Sequence, residues 1–289
     1  LRRLGLKNVY TVPEQMVLDG NFPTVAQPNP EYPEALALGA ELAEKVGSDL
    51  VIATDPDADR VGIMVRSSDG GFVTMTGNQV GALLLDYILT AYENTGTMPD
   101  GPYAVKTIVS TEMATKICNE HHVKIFNVLT GFKFIGEVIK KHDDVGVGHY
   151  LFGFEESYGY LKGTYARDKD SVVAVMLITE MAAYYKAKNM TLYDAMEALY
   201  ERYGYYKEAT VNVVMKGLDG LEKMAALMEG IRKEPPKELG GRKVVAMRDY
   251  LTEKITNIET GEVTPTGLPK SNVLYFETTG GNVVVIRPS

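Results

Sequence analysis

The sequence lacks the features that mark secreted, membrane and nucleic-acid-binding proteins. Its single cysteine, Cys118, excludes an intrachain disulfide, and such sparse cysteine usage is typical of a reducing cytosol. The longest strongly apolar run, VVAVMLI at Val172–Ile178, is far shorter than the roughly 20 residues that a membrane span requires. A net charge of −8 without a basic block argues against nucleic-acid binding. We therefore expect a cytoplasmic protein with no membrane or nucleic-acid partner.

What is present fits a chain of two domains, or parts of three. Apolar strand patterns alternate with helix patterns as far as Gly204, which indicates α/β architecture. The turn-rich stretch 94–102 suggests a boundary, and strand patterns dominate after residue 206. We predict consecutive α/β domains with mixed sheets flanked by helices, at 1–98 and 99–206. A partial, smaller α+β domain with an antiparallel sheet would follow at 207–289.

Several elements can be placed from periodicity and capping residues. The predicted helices are Pro33–Val46, Asn78–Glu93, Thr111–His122, Phe132–His142, Ser171–Lys188, a helix that a Thr191/Asp194 capping box opens and that ends near Gly204, and Leu221–Arg232. The predicted strands are Asp49–Ala53, Val61–Arg66, Tyr103–Val109, Tyr150–Phe154, Ala209–Met215, Lys243–Met247, Val273–Glu277 and Val283–Ile286. The run Asp49–Ala53 is of the apolar kind that is buried in parallel sheets. Thr279-Gly280-Gly281-Asn282 predicts a hairpin turn between the last two strands.

An acidic loop, Asp55-Pro56-Asp57-Ala58-Asp59-Arg60, follows the first predicted strand. Ligands of open α/β sheets bind beyond the carboxyl ends of strands, so this position suits a site. The three carboxylates repel one another, and a bound cation would relieve that repulsion. Carboxylate oxygens are hard ligands that suit Mg²⁺ or Ca²⁺. The loop therefore predicts a site for a hard divalent metal ion.

Three other interpretations of this loop compete. A calcium EF-hand is excluded, because its sixth and twelfth positions require Gly and Glu and are here Arg60 and Arg66. A solvated acidic turn would need no ligand at all. Asp55 could instead be a phosphorylated nucleophile, as in dehalogenase-like phosphotransferases, but Asp59 stands where those enzymes have Thr or Val.

A second loop, Gly153–Tyr160, combines two carboxylates, Glu155 and Glu156, with the hydroxyl of Ser157 and flanking glycines. Acid and hydroxyl groups on a loop suit hydrogen bonds to vicinal sugar hydroxyls. The sequence Glu-Glu-Ser also occurs at helix N-termini, where acidic residues are favourable, so the motif alone leaves both a sugar-binding loop and a helix start open.

The cations of the sequence supply the local positive field that an acidic protein needs for an anionic ligand. Arg167 and Lys169 precede the predicted helix at Ser171, where their charge opposes the helix dipole, and an anion bound there would explain them. A solvated turn is the alternative. The segment 129–134, LTGFKF, repeats the combination of hydroxyl, glycine and lysine at a helix start, and Lys106 ends another strand.

Together these segments resemble the α-D-phosphohexomutase family, which includes phosphoglucomutases and phosphomannomutases. The family metal loop D-G-D-x-D-R is similar to Asp55–Arg60, with Pro56 where Gly is common. The sugar loop G-E-x-S is similar to Glu155-Glu156-Ser157, with Phe154 where Gly is usual. An FPNPE-like segment is similar to 27–31, QPNPE, and 287–289, RPS, looks like the opening of the phosphate loop R-P-S-G-T-E-P.

The resemblance implies roles for individual residues. Asp55, Asp57 and Asp59 would bind Mg²⁺; Arg60 and, more weakly, Lys106 would be catalytic; and the sugar-phosphate contacts would be Thr130, Gly131, Phe132, Glu155, Ser157, Lys169, Arg287 and Ser289. The family transfers a phosphoryl group from a phosphoserine to the sugar and back through a bisphosphorylated intermediate. The loop sequences GFKF at 131–134 and GFEESYGY at 153–160 most resemble those of phosphoglucomutases, which implies a phosphohexomutase that favours glucose over mannose.

The T-A-S-H-N-P loop of the family is not in this sequence, and both ends of the chain look cut. We therefore expect an internal fragment without the serine domain, inactive alone. The alternatives are a non-catalytic sugar-phosphate-binding module, a phosphopentomutase or a glucose-1,6-bisphosphate synthase of the same family.

Overall fold

The computed structural model describes residues 1–215, 217 and 219–288, and the chain forms two compact units, Leu1–Glu208 and Ala209–Ser289. Within the described residues, no helix is both long enough and apolar enough to cross a membrane. Mixed α/β structure with several sheets confirms the predicted fold class. The domain boundaries at 98 and 206 stay predictions.

The first unit contains two sheets and most of the helices. Its helices are α1 (Ala37–Val46), α2 (Gly77–Thr95), α3 (Met113–Glu120), α4 (Phe132–Val145), α5 (Ser171–Lys186) and α6 (Leu192–Tyr203), with short 3-10 helices at Arg2–Leu4, Pro13–Gln15 and Pro33–Leu36. Its strands are β1 (Leu50–Thr54), β2 (Val61–Arg66), β3 (Phe72–Met75), β4 (Pro102–Thr107), β5 (Lys124–Val128), β6 (His149–Glu155) and β7 (Gly159–Leu161). The Thr191/Asp194 capping box at the start of α6 is confirmed.

The first sheet, in the order β1-β2-β3, is antiparallel throughout. The interpretation of Asp49–Ala53 as a parallel-sheet strand is therefore wrong, although a strand lies there. Apolar runs of this length are buried in either kind of sheet, so composition alone could not separate the two. The acidic loop is consequently a hairpin connection between β1 and β2, and the reason we gave for a site there does not hold.

The second sheet, in the order β5-β4-β6-β7, is mixed: β4 pairs in parallel with β5 and β6, and β7 pairs antiparallel with β6. One core connects both sheets through α2, α3, α5 and α6, with Leu84, Ile117, Phe152 and Ile178 fully buried in it. Because protein interiors are close-packed, this shared core limits the movement of the loop after β1 relative to the loop after β6.

The described residues of the second unit form a six-stranded antiparallel sheet and one long helix, α7 (Gly220–Lys233). Its strands are β8 (Glu238–Leu239), β9 (Arg242–Asp249), β10 (Lys254–Asn257), β11 (Val263–Pro265), β12 (Leu274–Thr278) and β13 (Val283–Ile286). The predicted hairpin is confirmed, since the Thr278 amide donates to the Asn282 carbonyl at 2.9 Å and joins β12 to β13.

The strand predicted at Ala209–Met215 is wrong. The segment has no regular structure, and Val211, Val213 and Val214 are exposed. Alternating apolar residues form a strand only where a neighbouring strand supplies hydrogen bonds, and the sheet of this unit is built from residues 238–286.

Candidate metal and ligand site

The acidic loop is folded around the first of its three carboxylates. Oδ1 of Asp55 accepts hydrogen bonds from the backbone amides of Asp59 at 3.1 Å and Arg60 at 2.9 Å. Ala58 takes a left-handed backbone conformation, φ 59°, and its amide donates to the Asp55 carbonyl at 3.1 Å. This tight turn places one ligand oxygen from each of Asp55, Asp57 and Asp59 within 4.8 Å of one another.

The donor set fits a hard metal ion. Three carboxylates supply only oxygen ligands, and Asp57 is exposed, so one side of the group is open. Oδ1 of Asp59 is buried and, among the described residues, accepts no hydrogen bond. Because a buried carboxylate oxygen without a donor is costly, a cation at this position would stabilise the loop.

Burial sets the electrostatics of the loop. Asp55 is 9% exposed, and this burial raises its pKa above the ordinary value, opposed by the amide of Arg60. The neighbouring Asp59 carboxyl adds to the increase. The loop therefore stores like-charge repulsion that an added cation would relieve.

Arg60 closes one side of the loop, and a distant residue orients it. Its guanidinium donates to Oε1 of Glu31 at 2.8 Å, whereas its Nε lies 3.8 Å from Asp55 and 3.9 Å from Asp59. Glu31 belongs to the QPNPE segment, and the Pro30 carbonyl of that segment packs against Gly62, where a Cβ would lie 2.7 Å from it. The segment thus fixes both the start of β2 and the direction of Arg60.

The second loop is a hairpin between β6 and β7, which excludes the helix N-terminus as its explanation. Glu155 ends β6 and is 6% exposed, and its Oε1 accepts the Gly131 amide at 2.7 Å. Burial raises the pKa of Glu155, and the Gly131 amide opposes that increase. Ser157 is partly buried at the tip, and Tyr158 takes a left-handed conformation, φ 67°.

Backbone contacts join the two loops. Arg60 and Gly159 form an isolated antiparallel bridge, and the Val61 amide donates to the Tyr158 carbonyl at 3.0 Å. The start of α2 supports the second loop so closely that a Cβ on Gly77 would lie 2.1 Å from the Glu156 carbonyl oxygen. The two motifs, about a hundred positions apart in the sequence, therefore form one continuous site.

Lys169 lies where the two loops meet. Its Nζ lies 2.6 Å from Oδ2 of Asp59 and 3.2 Å from Asp168, and its side chain is 16% exposed. Its stem crosses the second loop at Gly159, where a Cβ would lie 2.6 Å from Cδ of Lys169. Burial acts to lower the pKa of Lys169, but the two carboxylates outweigh it and raise the pKa above its ordinary value.

Two other residues of the predicted site are inside the protein. Lys106 has no exposed surface, and its Nζ lies 2.8 Å from Glu112 and 3.2 Å from the Ser110 carbonyl. Phe132, the first residue of α4, is 3% exposed and packs in a hydrophobic core with Val105 and Ile135. Contact of either side chain with a ligand would require it to leave these partners, and their predicted roles stay predictions.

The cations before α5 do not converge on one anion site. Arg167 pairs with Asp143 at 2.5 Å, away from the Asp59 partner of Lys169. The first amides of α5 are already bonded, since Oδ1 of Asp170 accepts from Val172 at 2.7 Å and the Ala58 carbonyl accepts from Ser171 at 3.1 Å. The amides at this helix start are thus bonded to Asp170 and to the Ala58 carbonyl, and the predicted anion contact of Lys169 stays a prediction.

The remaining predicted residues are placed as follows. Thr130 is partly buried directly before Gly131, whose φ of 111° explains why glycine begins α4. Arg287 follows β13 in the second unit, and Ser289 lies outside the described residues. Their roles stay predictions.

Comparisons with known proteins identify the family of the chain. Residues 1–70 match the family model for phosphoglucomutase/phosphomannomutase, alpha/beta/alpha domain II, and residues 76–203 match domain III of the same family. Together the two matches cover more than half of the chain. It belongs to the α-D-phosphohexomutase family.

Curated members of the family are similar along the whole chain. It is 36% identical over 289 residues to a phosphoglucomutase of Staphylococcus haemolyticus (strain JCSC1435), covering 100% of this chain and 52% of that protein. A phosphoglucomutase of Staphylococcus aureus (strain MRSA252) is 37% identical, again over 100% of this chain and 51% of its own length. The chain thus spans about half the length of the curated relatives it matches.

Solved structures of phosphohexomutases share the fold. The open form of the Paramecium phosphoglucomutase pp63/parafusin aligns with a TM-score of 0.56 and 19% identity, over 90% of this chain and 42% of that one. A phosphoglucomutase/phosphomannomutase family protein of Burkholderia thailandensis aligns with a TM-score of 0.53 and 15% identity, over 93% of this chain and 48% of its own. At these identities the likeness concerns the fold alone.

Some residues around this candidate site were not predicted from the sequence. Glu31 lay in a segment noted only for its resemblance, and nothing local connects it with Arg60, 29 positions away. Gly77 carried no functional signal, although it supports the second loop.

Proposed function

We propose that the protein containing this chain interconverts hexose 1-phosphate and hexose 6-phosphate, with glucose favoured over mannose and Mg²⁺ as its metal ion. The observation that carries the proposal is the bridge between Arg60 and Gly159. It joins a group of three carboxylates to a loop with a buried acid, so a metal-bound phosphate and a sugar ring could lie side by side. The family membership and the phosphoglucomutase relatives support the same activity.

In this proposal Asp55, Asp57 and Asp59 bind the metal ion. Mg²⁺ there would neutralise negative charge that develops on the transferring phosphoryl oxygens. Arg60, held by Glu31, would direct its guanidinium at the same group without needing to reorganise.

The second loop would bind the sugar. Glu155 and Ser157 would hydrogen-bond hydroxyl groups that are similar in the two orientations of the sugar, and the Gly131 amide keeps the Glu155 carboxyl in place. Thr130 and Lys169 would contact phosphate, while Lys106 stays a weaker catalytic candidate. Arg287 and Ser289 would begin the contact with the distal phosphate.

A coupled assay on the full-length protein tests the activity. Glucose 1-phosphate should give NADPH through glucose-6-phosphate dehydrogenase only when Mg²⁺ is present, and mannose 1-phosphate, followed by its own coupling enzymes, should react more slowly. Preference for deoxyribose 1-phosphate would indicate a phosphopentomutase, and binding of the bisphosphate without turnover would indicate a non-catalytic module.

The 289-residue chain should bind metal and sugar phosphate without turnover, because the family's phosphoserine loop is not among its residues. Turnover by this chain at a rate comparable to the full-length protein would contradict that part of the proposal.

A further inference from the structure

We propose that Lys169 is an exchangeable counter-ion of the three-carboxylate loop, which releases Asp59 when a divalent cation binds. This inference rests on the proposed metal site, and it adds that the ammonium of Lys169 competes with the metal ion for Asp59. It starts from the 2.6 Å ion pair between Nζ of Lys169 and Oδ2 of Asp59. The same Asp59 carboxylate belongs to the group that could hold the metal ion.

The ion pair places the positive charge of Lys169 beside the three carboxylates, where it partly neutralises their mutual repulsion as a metal ion would. Asp59 and the ammonium are largely shielded from water, at 25% and 16% exposure, so their attraction is stronger than that of a surface pair. Oδ1 of Asp59 accepts no hydrogen bond from the described residues, but the ammonium on Oδ2 withdraws charge from the same carboxylate. Two cations held this close also repel each other, so metal binding and this ion pair compete.

The backbone around Lys169 limits where its ammonium can go. The Asp170 amide donates to the Tyr160 carbonyl at 3.0 Å, and the Ser171 amide donates to the Ala58 carbonyl at 3.1 Å. These bonds hold the residues after Lys169 between the two loops, while its stem crosses Gly159. A released ammonium would therefore stay beside the second loop, where its charge already acts on Glu155.

Direct metal binding gives the first test, with Mn²⁺ as the probe and electron paramagnetic resonance as the readout. Lys169→Met should bind Mn²⁺ about tenfold more tightly than the unaltered chain, because the competing charge is gone. Lys186→Met is the matched control, since Lys186 lies on the exposed part of α5 and pairs with Asp49. Equal or weaker Mn²⁺ binding by Lys169→Met would overturn the proposal.

Amine labelling of the unaltered chain gives the second test and does not depend on a variant folding. With acetylation followed by peptide mass spectrometry, the labelling rate of Lys169 should rise several-fold when Mg²⁺ is added, and that of Lys186 should not change. If Mg²⁺ leaves the labelling rate of Lys169 unchanged, the ammonium is not released from Asp59 when the metal ion binds, and the proposal is overturned. This holds even if Lys169→Met binds Mn²⁺ more tightly, because removal of the charge alone would explain that result. If the unaltered chain binds no Mn²⁺ at all, the proposed metal site itself fails.

Discussion

The two loops of the site are stabilised in different ways, although both are hairpin connections. The turn of the acidic loop is shaped by bonds from its own amides to Asp55, although Glu31, Lys169 and Ser171 also contact the loop. The loop after β6 is held from outside, by Gly131, Gly77 and the bridge to Arg60. A loop that is stabilised by bonds among neighbouring residues can be recognised from a short sequence motif. A loop that is stabilised by residues far away in the sequence cannot. The same difference predicts how each loop responds to substitution.

The largest expected effect is on metal binding by the acidic loop. Asp57→Asn removes the exposed carboxylate but none of the bonds that shape the turn, so the fold should persist. Mn²⁺ affinity should fall by at least about 100-fold, measured by electron paramagnetic resonance. Asp69→Asn, in the β2–β3 turn, is the control and should bind as the unaltered chain does. Unchanged affinity in Asp57→Asn would refute the metal assignment.

The loop after β6 should be more sensitive to a change outside it. Gly77→Ala would place a Cβ 2.1 Å from the Glu156 carbonyl oxygen, and backbone must move to make room. We expect the free energy of unfolding in urea to fall by about 1–3 kcal/mol. Gly20→Ala, at a glycine with open space around it, should leave stability unchanged. Equal stabilities of the two variants would show that α2 does not support the loop as described.

A smaller effect, dependent on pH, is expected at the buried acid of this second loop. Burial raises the folded-state pKa of Glu155 above 4.5, so the folded state binds more protons than the unfolded state and loses stability as pH rises. Glu155→Gln keeps an oxygen for the Gly131 amide and should raise the melting temperature at pH 7.5. The difference should shrink as the pH falls and vanish well below pH 4.5, where Glu155 is protonated in both states. A variant less stable than the unaltered chain at pH 7.5 would contradict this.

The smallest expected effect is at Glu31, whose ion pair with Arg60 is one-third exposed on each side. Glu31→Gln should lower the free energy of unfolding by only about 0.2–1 kcal/mol, as chemical denaturation would show. In the full-length protein its kcat should fall more than its KM changes, because Arg60 would lose its orientation, and Glu31→Asp should restore part of the loss. A rise in KM alone would argue against a positioning role.

Local sequence patterns predicted the helices α1–α7 and the acidic loop, but they did not predict the strands β3, β5, β7, β8, β10 and β11. Periodicity and capping predicted α2, α5 and α6, and alternating aspartates after an apolar run predicted the candidate metal ligands. The contacts behind these features span only a few residues. The resemblance of Asp55–Arg60 and Glu155–Ser157 to one family then gave the family, which the comparisons confirm.

The way these parts are arranged around the site became clear from the folded structure. It made β1 antiparallel, left 209–215 without a strand, put Lys106 inside and brought Glu31, Gly77 and Lys169 to the two loops. Strand pairing, burial and ion pairs of this kind depend on groups far apart in the chain, and their free energy comes from desolvation and packing that exist only after folding. Local sequence patterns carry no record of those distances.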